Sequence, residues 1–490
     1  KMNWMFALMI SLLIIMSIKG NVYAYKKYGI VVDAGSSGSR IHLYTWEARQ
    51  SKDELPVIEE PKKLTKLKGG ISLYKDNPSE AYKTVKTLIE TLYKESDFTK
   101  ELEKDTPFFL FATAGMRMLP QATSTEIMNS IRSYIKKNTD FICDDDHVEV
   151  IPGNYEAIYG WLQLNYAMGR FQNGSTTYGA MDLGGASTQI TYELPGSFQT
   201  YGNGMEVRVG GKDYRLFATS YLRYGLTEAI NLNIEEFLER HAKETGPFDF
   251  PCYNTGYNHS FTNHILRGTS HPENCSKIVR SMLHLTDFCP EKQQALCGIA
   301  GQYQPDISKN EMKLYAFSAF ANIAKGVRLI NEHEAFSSKT YLQQIAQKQQ
   351  EYCSYNWEDL QKHADTGKAY MNTICFGITY MHELYKEAYK FQESYQQVDV
   401  VFTIPGSTIE AGWALGALIY ELSITDVKIY AIILPAWINS FVLYSFVILT
   451  LFLIVVCTLT VTFCCFCNSI LYCRRSKHSK KRSDNYRSFA

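Results

Sequence analysis

The chain has 490 residues, of which 46% are hydrophobic, and it carries 50 basic and 50 acidic side chains. This length suits two or three domains, and the composition argues against a disordered or low-complexity chain. Residues 474–490 hold seven basic residues and one acidic residue, so the rest of the chain has a net charge of minus six. No nucleic-acid partner is expected of an acidic body, because such binding depends on neutralising phosphates with Lys and Arg. A polyphosphate ligand would need a metal ion.

The N-terminus is expected to direct the chain into the secretory pathway. Residues 4–18 are largely apolar, and Val22 and Ala24 then place small residues at the positions that signal peptidase prefers. We therefore predict a signal peptide over residues 1–24, with an uncleaved N-terminal anchor as the alternative.

A pattern of small residues occurs twice. Residues 31–44 read VVDAGSSGSRIHLY, an apolar strand that ends in Asp33, a run of small residues and an alternating strand. Residues 180–191 read AMDLGGASTQIT, with Asp182 in the place of Asp33. Each copy predicts a hairpin with a wide turn whose backbone N–H groups are open to phosphate oxygens. One copy fits a structural Gly-rich hairpin equally well, but two matching copies favour a ligand site.

The two aspartates of this pattern are candidate metal-binding residues. Asp33 and Asp182 each end a predicted strand beside the expected phosphate site. Mg²⁺ and Ca²⁺ take oxygen ligands and bridge readily to phosphate, so either ion fits these positions.

Residues 108–117 predict a buried strand followed by polar side chains. Phe108–Ala112 is apolar and brings Thr113 and Arg117 to a strand end, which is where open α/β sheets bind ligands. A helix start with a solvated Arg is the alternative interpretation of these residues.

A second strand-to-helix junction carries a candidate base. Residues 147–151 predict a strand, and Asn154 is expected to cap a helix that runs to about Met168, with Glu156 in its first turn. An acid at this place is explained by the helix dipole alone, but the same field would keep a base ionised. Further helices are predicted over residues 79–94, 220–233 and 312–331.

The C-terminal region predicts a membrane anchor. Residues 429–473 contain no charged side chain, and residues 441–466 are long and apolar enough to span a bilayer as a helix. Basic residues follow at once, so residues 467–490 are expected in the cytosol and the body of the chain outside or in a lumen. Residues 429–440 form a juxtamembrane segment in this interpretation.

Four motifs in order resemble the conserved regions of the nucleoside triphosphate diphosphohydrolases, or apyrases. They are DAGSSGSR, FATAGMR, YEAIYGW and MDLGGASTQ. The resemblance, which extends to the actin, sugar-kinase and chaperone ATPase superfamily, implies an α/β fold of two related RNase H-like (actin-like) lobes with a nucleotide cleft between them, plus the C-terminal transmembrane helix. Lobe I would hold residues 25–155 and 403–428, and lobe II residues 156–402.

The resemblance implies hydrolysis of the terminal phosphate of extracellular or lumenal nucleoside tri- or diphosphates. Glu156 would activate the water, Ser187 and Gln189 would position it, and Thr113 and Arg117 would complete the catalytic set. The residues that would bind phosphate are Gly35, Ser36, Ser37, Gly38, Ser39, Arg40, Gly184, Gly185 and Ala186. Asp33 and Asp182 would hold Ca²⁺ or Mg²⁺ through water. A lumenal nucleoside diphosphatase and a nucleotide-binding receptor without catalysis are the alternatives.

The family also suggests bridges and modifications. The resemblance implies disulfides Cys353–Cys375 and Cys289–Cys297, which leaves Cys252 to pair with Cys275 and Cys143 unpaired. Glycosylation sequons lie at Asn173, Asn258 and Asn274. The cell surface is the expected location, with the Golgi or another secretory lumen as the alternative, and a homo-oligomer stays open.

Two departures from the family pattern leave the substrate preference open. Gly38 stands where many cell-surface members carry His, and Ala321 and Asn322 stand where an aromatic residue that stacks on the base is expected. Neither the choice between tri- and diphosphates nor the choice of base can therefore be carried over from the family.

Overall fold

The computed structural model describes residues 26–49, 51–59, 64–172, 174–194, 204–287, 289, 296–305, 307, 312–330, 341–392 and 398–424, with single helical positions between 449 and 460. The chain divides into two compact units, residues 1–427 and 428–490. The predicted signal peptide, Asn173, most of the predicted span 441–466 and the whole tail 467–490 lie outside the described residues. Within the described part, no helix is both long and apolar enough to cross a membrane.

The first unit is a mixed α/β structure, as expected. Its strands in chain order are β1 (Lys26–Gly35), β2 (Gly38–Glu47), β3 (Leu67–Lys68), β4 (Phe108–Ala112), β5 (Val148–Val150), β6 (Gly179–Leu183), β7 (Ser187–Glu193), β8 (Gly204–Val209), β9 (Lys212–Leu222), β10 (Phe248–Phe250), β11 (Asn258–Phe261), β12 (His264–Gly268), β13 (Leu314–Ser318) and β14 (Val398–Val400). Its helices are α1 (Tyr82–Glu95), α2 (Ala114–Arg117), α3 (Gln121–Asn138), α4 (Gly153–Ala167), α5 (Leu226–Arg240), α6 (Pro272–Met282), α7 (Ala319–Gly326), α8 (Tyr341–Ser354), α9 (Trp357–His363), α10 (Ile374–Glu383) and α11 (Ala414–Ile424).

Two sheets share one strand order. The first runs β3-β2-β1-β4-β5, and within the second the strands β9-β7-β6-β13-β14 follow the same sequence, with β8 added at the edge. In both sheets the hairpin pair is antiparallel and the two strands on its other side are parallel to its first strand. Strands β10 to β12 form a small third sheet. The repeated sequence pattern therefore reflects a repeated topology.

The register of the two hairpins is also the same. Asp33 pairs with Arg40 across β1 and β2, and Asp182 pairs with Gln189 across β6 and β7. Cross-strand partners project from the same face of a sheet. Each aspartate therefore has a polar neighbour from the second strand of its own hairpin.

The central hydrophobic core lies between the two sheets and contains α4 and α11. It includes Phe111 from the first sheet, Phe317 from the second, and Ile158 and Leu418 from the two helices. Helix α4 is buried on nearly every side, which is why its sequence lacks a polar stripe. The position of Glu156 is thus fixed by a helix that both sheets hold.

Glycine lets α4 and α11 approach each other closely. A Cβ on Gly416 of α11 would overlap the carbonyl oxygen of Tyr159 in α4. Gln163 then joins the two segments, since its Nε2 donates to the Glu410 carbonyl at 2.7 Å and its Oε1 accepts from the Leu415 N–H at 3.0 Å.

Three disulfides match the predicted pairing. The structure contains Cys252–Cys275, Cys289–Cys297 and Cys353–Cys375, and Cys143 is a free thiol. Asn258 and Asn274 are exposed, as glycosylation requires.

Two predicted helices are wrong in their first parts. Residues 220–222 end strand β9, and α5 begins only at Leu226. Leu314–Ser318 forms strand β13 before α7, because it is a buried apolar run that pairs with β6 and β14 on both sides. Pro152, and not Asn154, stands at the N-cap of α4.

We expect Gly416→Ala to destabilise the protein by about 1–3 kcal/mol, because the added methyl group would force α4 and α11 apart. Gly367→Ala is the matched control, since a Cβ there would meet no atom within 4 Å and its φ is −67°. Thermal unfolding of both variants tests this expectation. Equal melting temperatures would contradict the close packing of these helices.

Candidate active site

The two hairpin turns face each other. Ser36 and Ser37 connect β1 to β2, and residues 184–186 connect β6 to β7. A Cβ on Gly185 would lie 2.7 Å from the Ser36 hydroxyl, so the two turns approach each other closely here. The Gly185 carbonyl accepts a hydrogen bond from the Thr227 N–H at 2.9 Å, which fixes the second turn on the start of α5.

The other predicted phosphate-binding positions differ in accessibility. Gly35, Ser36, Arg40, Gly184 and Gly185 are half-buried and Ser37 is exposed, whereas Gly38 and Ala186 are buried. Ser39 is fully buried, and its hydroxyl has no hydrogen-bond partner among the described residues. The turns are therefore accessible to a ligand, whereas the side chain of Ser39 is not.

Asp33 and Asp182 form one acidic cluster with Glu156. Burial raises the pKa of Asp33 to about 6, with Arg40 acting against the shift and Glu156 adding to it. Burial raises the pKa of Asp182 to about 7; a hydrogen bond from Ser318 opposes the shift, while Glu156 and Asp33 increase it. The three carboxylates are thus close enough to repel one another.

The aspartates fit a divalent cation. Both residues are half-buried. Oδ1 of Asp182 is buried and accepts no hydrogen bond from any described residue. Thr113, which is 4% exposed, follows β4 and donates its N–H to Ala34 at 3.3 Å, so it lies next to Asp33. Oxygen donors of this kind are the ligands that Ca²⁺ and Mg²⁺ prefer.

Arg117 holds Glu156 and Ser187 together. Its Nη2 lies 2.9 Å from Glu156 Oε2 and 3.1 Å from Ser187 Oγ, while its Nη1 donates to the Ile151 carbonyl at 3.0 Å. These residues come from α2, α4 and β7, so the contact joins the two hairpin-bearing parts of the chain. The alternative of a solvated Arg117 is wrong, because this side chain is only 15% exposed.

Gln189 completes this network. Its Nε2 lies 3.2 Å from Glu156 Oε2, 2.7 Å from Ser187 Oγ and 2.9 Å from Ser220 Oγ. Its Oε1 is buried and has no partner in the described part of the chain. The amide nitrogen of Gln189 is therefore fixed by its contacts, whereas the amide oxygen is left to accept a hydrogen bond from a ligand.

Burial raises the pKa of Glu156, and the neighbouring Arg117 guanidinium acts against this shift. Glu156 is 8% exposed, so few water molecules reach its carboxylate from bulk solvent. The ion pair with Arg117 is consequently the main interaction that favours the ionised form.

Two site residues were not predicted from the sequence. Ser220 lies two residues before the end of β9 and bonds Gln189, and Ser318 ends β13 and bonds Asp182. Ser318 also has a φ of 60°, which is uncommon for a residue with a side chain and occurs often at functional sites. Ser318 stands at the end of a parallel strand, as Thr113 does, but this strand was predicted as part of a helix, so its end gave no signal in the sequence.

A model of the GDA1/CD39 (nucleoside phosphatase) family matches residues 22–433. The chain is 28% identical over 439 residues to nucleoside-diphosphatase mig-23 of Caenorhabditis elegans, covering 81% of this chain and 77% of that protein. It is 29% identical over 441 residues to human ectonucleoside triphosphate diphosphohydrolase 3, covering 82% and 78% of the two chains.

A solved structure shares the fold. A nucleoside triphosphate hydrolase from Neospora caninum superposes with a TM-score of 0.62 at 13% identity, over 86% of this chain and 97% of that one. The family match covers every residue of the site described above. The chain therefore belongs to the GDA1/CD39 family of nucleoside phosphatases.

Proposed function

We propose that the chain hydrolyses the terminal phosphate of nucleoside tri- or diphosphates, with Ca²⁺ or Mg²⁺, through a water molecule that Glu156 activates. The observation that carries this proposal is how Glu156 is held. Arg117 and Gln189 both donate to Oε2, and no hydrogen bond from a described residue reaches Oε1. A carboxylate with one fixed and one open oxygen suits a general base, which must lie within hydrogen-bond reach of the proton it takes.

Ser187 and Gln189 would position the attacking water. A buried acceptor without a partner is costly, so the unpartnered Gln189 Oε1 supports a place for that water. Arg117 and Gln189 both bond the Ser187 hydroxyl, which fixes its direction. Water attack on the terminal phosphorus needs no covalent enzyme intermediate.

The hairpin turns and the aspartates would bind the metal-nucleotide complex. Backbone N–H groups of residues 35–37 and 184–186 would hold phosphate oxygens, and Asp33, Asp182 and Thr113 would contact water on the ion. A bound Ca²⁺ or Mg²⁺ would neutralise phosphate charge and polarise the phosphoryl group. The unpartnered Asp182 Oδ1 supports this assignment.

We propose that the two sheets belong to two RNase H-like lobes with the nucleotide cleft between them. Lobe I would comprise residues 25–155 and 403–428, and lobe II residues 156–402. The repeated strand order and the matched hairpin registers support this division. The contacts of Arg117 and Gln189 would then connect the two sides of the cleft.

A location outside the cytosol is part of the same proposal. The three disulfides support it, because disulfides persist mainly in oxidising compartments. The predicted span at 441–466 would anchor the chain at the cell surface, with a secretory lumen as the alternative. One relative is named as a nucleoside-diphosphatase and another for tri- and diphosphates, so both substrate classes stay under test.

The direct test is phosphate release from ATP, ADP, UDP and GDP, with and without EDTA. We expect phosphate release that stops when EDTA removes the metal. The rates for the four nucleotides then give the order of substrate preference. Tight nucleotide binding without release would favour the alternative of a receptor that has lost catalysis.

We expect Glu156→Gln to lower turnover by at least about 100-fold, because it removes the proton acceptor while keeping the side-chain shape. Glu358→Gln, which changes an exposed first-turn acid of α9, is the matched control and should keep its activity. Metal-nucleotide affinity of Glu156→Gln should hardly change, and its melting temperature, which loss of the ion pair with Arg117 lowers, shows that the variant is still folded. Wild-type hydrolysis by this variant would overturn the mechanism.

The raised pKa of Asp182 predicts how metal and pH affect stability. A folded-state pKa of about 7, against about 3.9 in an unfolded chain, means that stability is lost as the pH rises from about 4 to about 7 without metal. Asp182→Asn should therefore melt higher than wild type at pH 8 in EDTA, and equally at pH 4. Added Ca²⁺ should stabilise the wild type much more than the variant.

Asp399→Asn is the control for this experiment, because Asp399 is also buried but pairs with Lys313 at 2.6 Å, away from the hairpin turns. This change should destabilise the protein at pH 8 and preserve its response to Ca²⁺. Equal stabilisation of Asp182→Asn and wild type by Ca²⁺ would show that the Asp182 carboxylate does not serve the ion.

The proposed topology predicts that a C-terminal tag is protected from protease on intact cells, while ATP added outside is hydrolysed. Permeabilised cells provide the control, since the tag should then be digested. Digestion of the tag on intact cells would contradict the orientation.

A further inference from the structure

Lys66 lies near Arg40 at the edge of the first sheet. Strands β2 and β3 pair Gly38 with Lys68 and Ser39 with Leu67, and Lys66 directly precedes β3, where its charge interacts with those of Arg40 and Asp33. Arg40 in turn pairs with Asp33 on β1. The three charged side chains therefore lie close enough to interact beside the first hairpin.

The Lys66 side chain extends toward the first hairpin turn. Its Cε would lie 2.6 Å from a Cβ on Gly38, the residue that directly follows Ser36 and Ser37. The absence of a side chain at Gly38 thus lets the lysine lie over the strand beside the turn. Its Cε thus lies beside Gly38, which directly follows the turn residues that the proposed function assigns to phosphate binding.

Among the described residues, no carboxylate lies at ion-pair distance from Arg40 or Lys66. Arg40 and Lys66 take part in none of the ion pairs between described residues, whereas Arg117 is paired with Glu156. Like charges that face each other across strands are destabilising. Burial and Arg40 both lower the pKa of Lys66, and Asp33 counteracts them. Such a pair of cations is expected where an anion binds between them.

We infer that Lys66, together with Arg40, binds the terminal phosphate of the substrate at the outer side of the first hairpin turn. The inference rests on the proposed function and deepens it, because that phosphate is the group transferred to water. A charge-assisted hydrogen bond from an ammonium group to a phosphate oxygen is stronger than one between neutral groups. Lys66 should strengthen the binding of nucleoside tri- and diphosphates, and it should not affect the binding of nucleoside monophosphates.

The test measures binding and not turnover. Affinities for the β,γ-methylene analogue of ATP and for AMP are determined by calorimetry in Mg²⁺ for the wild type, Lys66→Ala, Lys66→Arg and Lys94→Ala. Lys94 is an exposed lysine in the last turn of α1, so its change removes the same charge at a distance from the turn. Lys66→Ala should weaken the analogue about tenfold and leave AMP unchanged.

Lys66→Arg should restore most of the affinity, and Lys94→Ala should match the wild type. Equal affinity of Lys66→Ala and Lys94→Ala for the analogue would overturn the inference, as would equal weakening of the analogue and AMP. If the wild type binds the analogue through Lys66 but releases no phosphate from ATP, the proposed function fails and the inference stands. Melting temperatures of all variants show that each is folded.

Discussion

The structure depends on bringing three carboxylates, Asp33, Asp182 and Glu156, into one partly buried site. Burial and mutual repulsion raise the pKa of each aspartate. Among the described residues, Glu156 is the one member of this cluster with a cation at ion-pair distance, which is Arg117. In the proposed mechanism the two aspartates would hold a ligand cation, and Arg117 would favour the ionised form of the base. This division separates the groups that would hold the ion from the group that would accept the proton.

Placing these carboxylates requires two copies of one hairpin and a shared central core. The same register in both hairpins sets Asp33 and Asp182 at equivalent positions. The close contact of α4 with α11, which glycine at position 416 permits, fixes the helix that carries Glu156. Backbone geometry therefore brings the site residues together, and the contacts of Arg117 and Gln189 fix their side chains.

Local patterns predicted the parts of the site, and contacts between distant segments decided the rest. The Asp and small-residue patterns were sufficient for both hairpins, and the strand before Thr113 was correct to the residue. The helix predicted over residues 312–331 failed because periodicity cannot distinguish a short buried strand from a buried helix. Ser220 and Ser318 could not be found, since their roles arise from β9 and β13 lying beside strands far away in the sequence. The close approach of the Lys66 side chain to Gly38 likewise depends on how β3 pairs with β2.

The central claim is that water activated by Glu156 attacks the terminal phosphorus directly. The stereochemical course at phosphorus tests it, using a nucleoside triphosphate whose γ-phosphorus is made chiral with sulfur and oxygen isotopes and which is hydrolysed in isotopically labelled water. A single in-line displacement by water inverts the configuration, whereas a covalent phosphoenzyme requires two displacements and retains it. The account predicts inversion, and retention would contradict it.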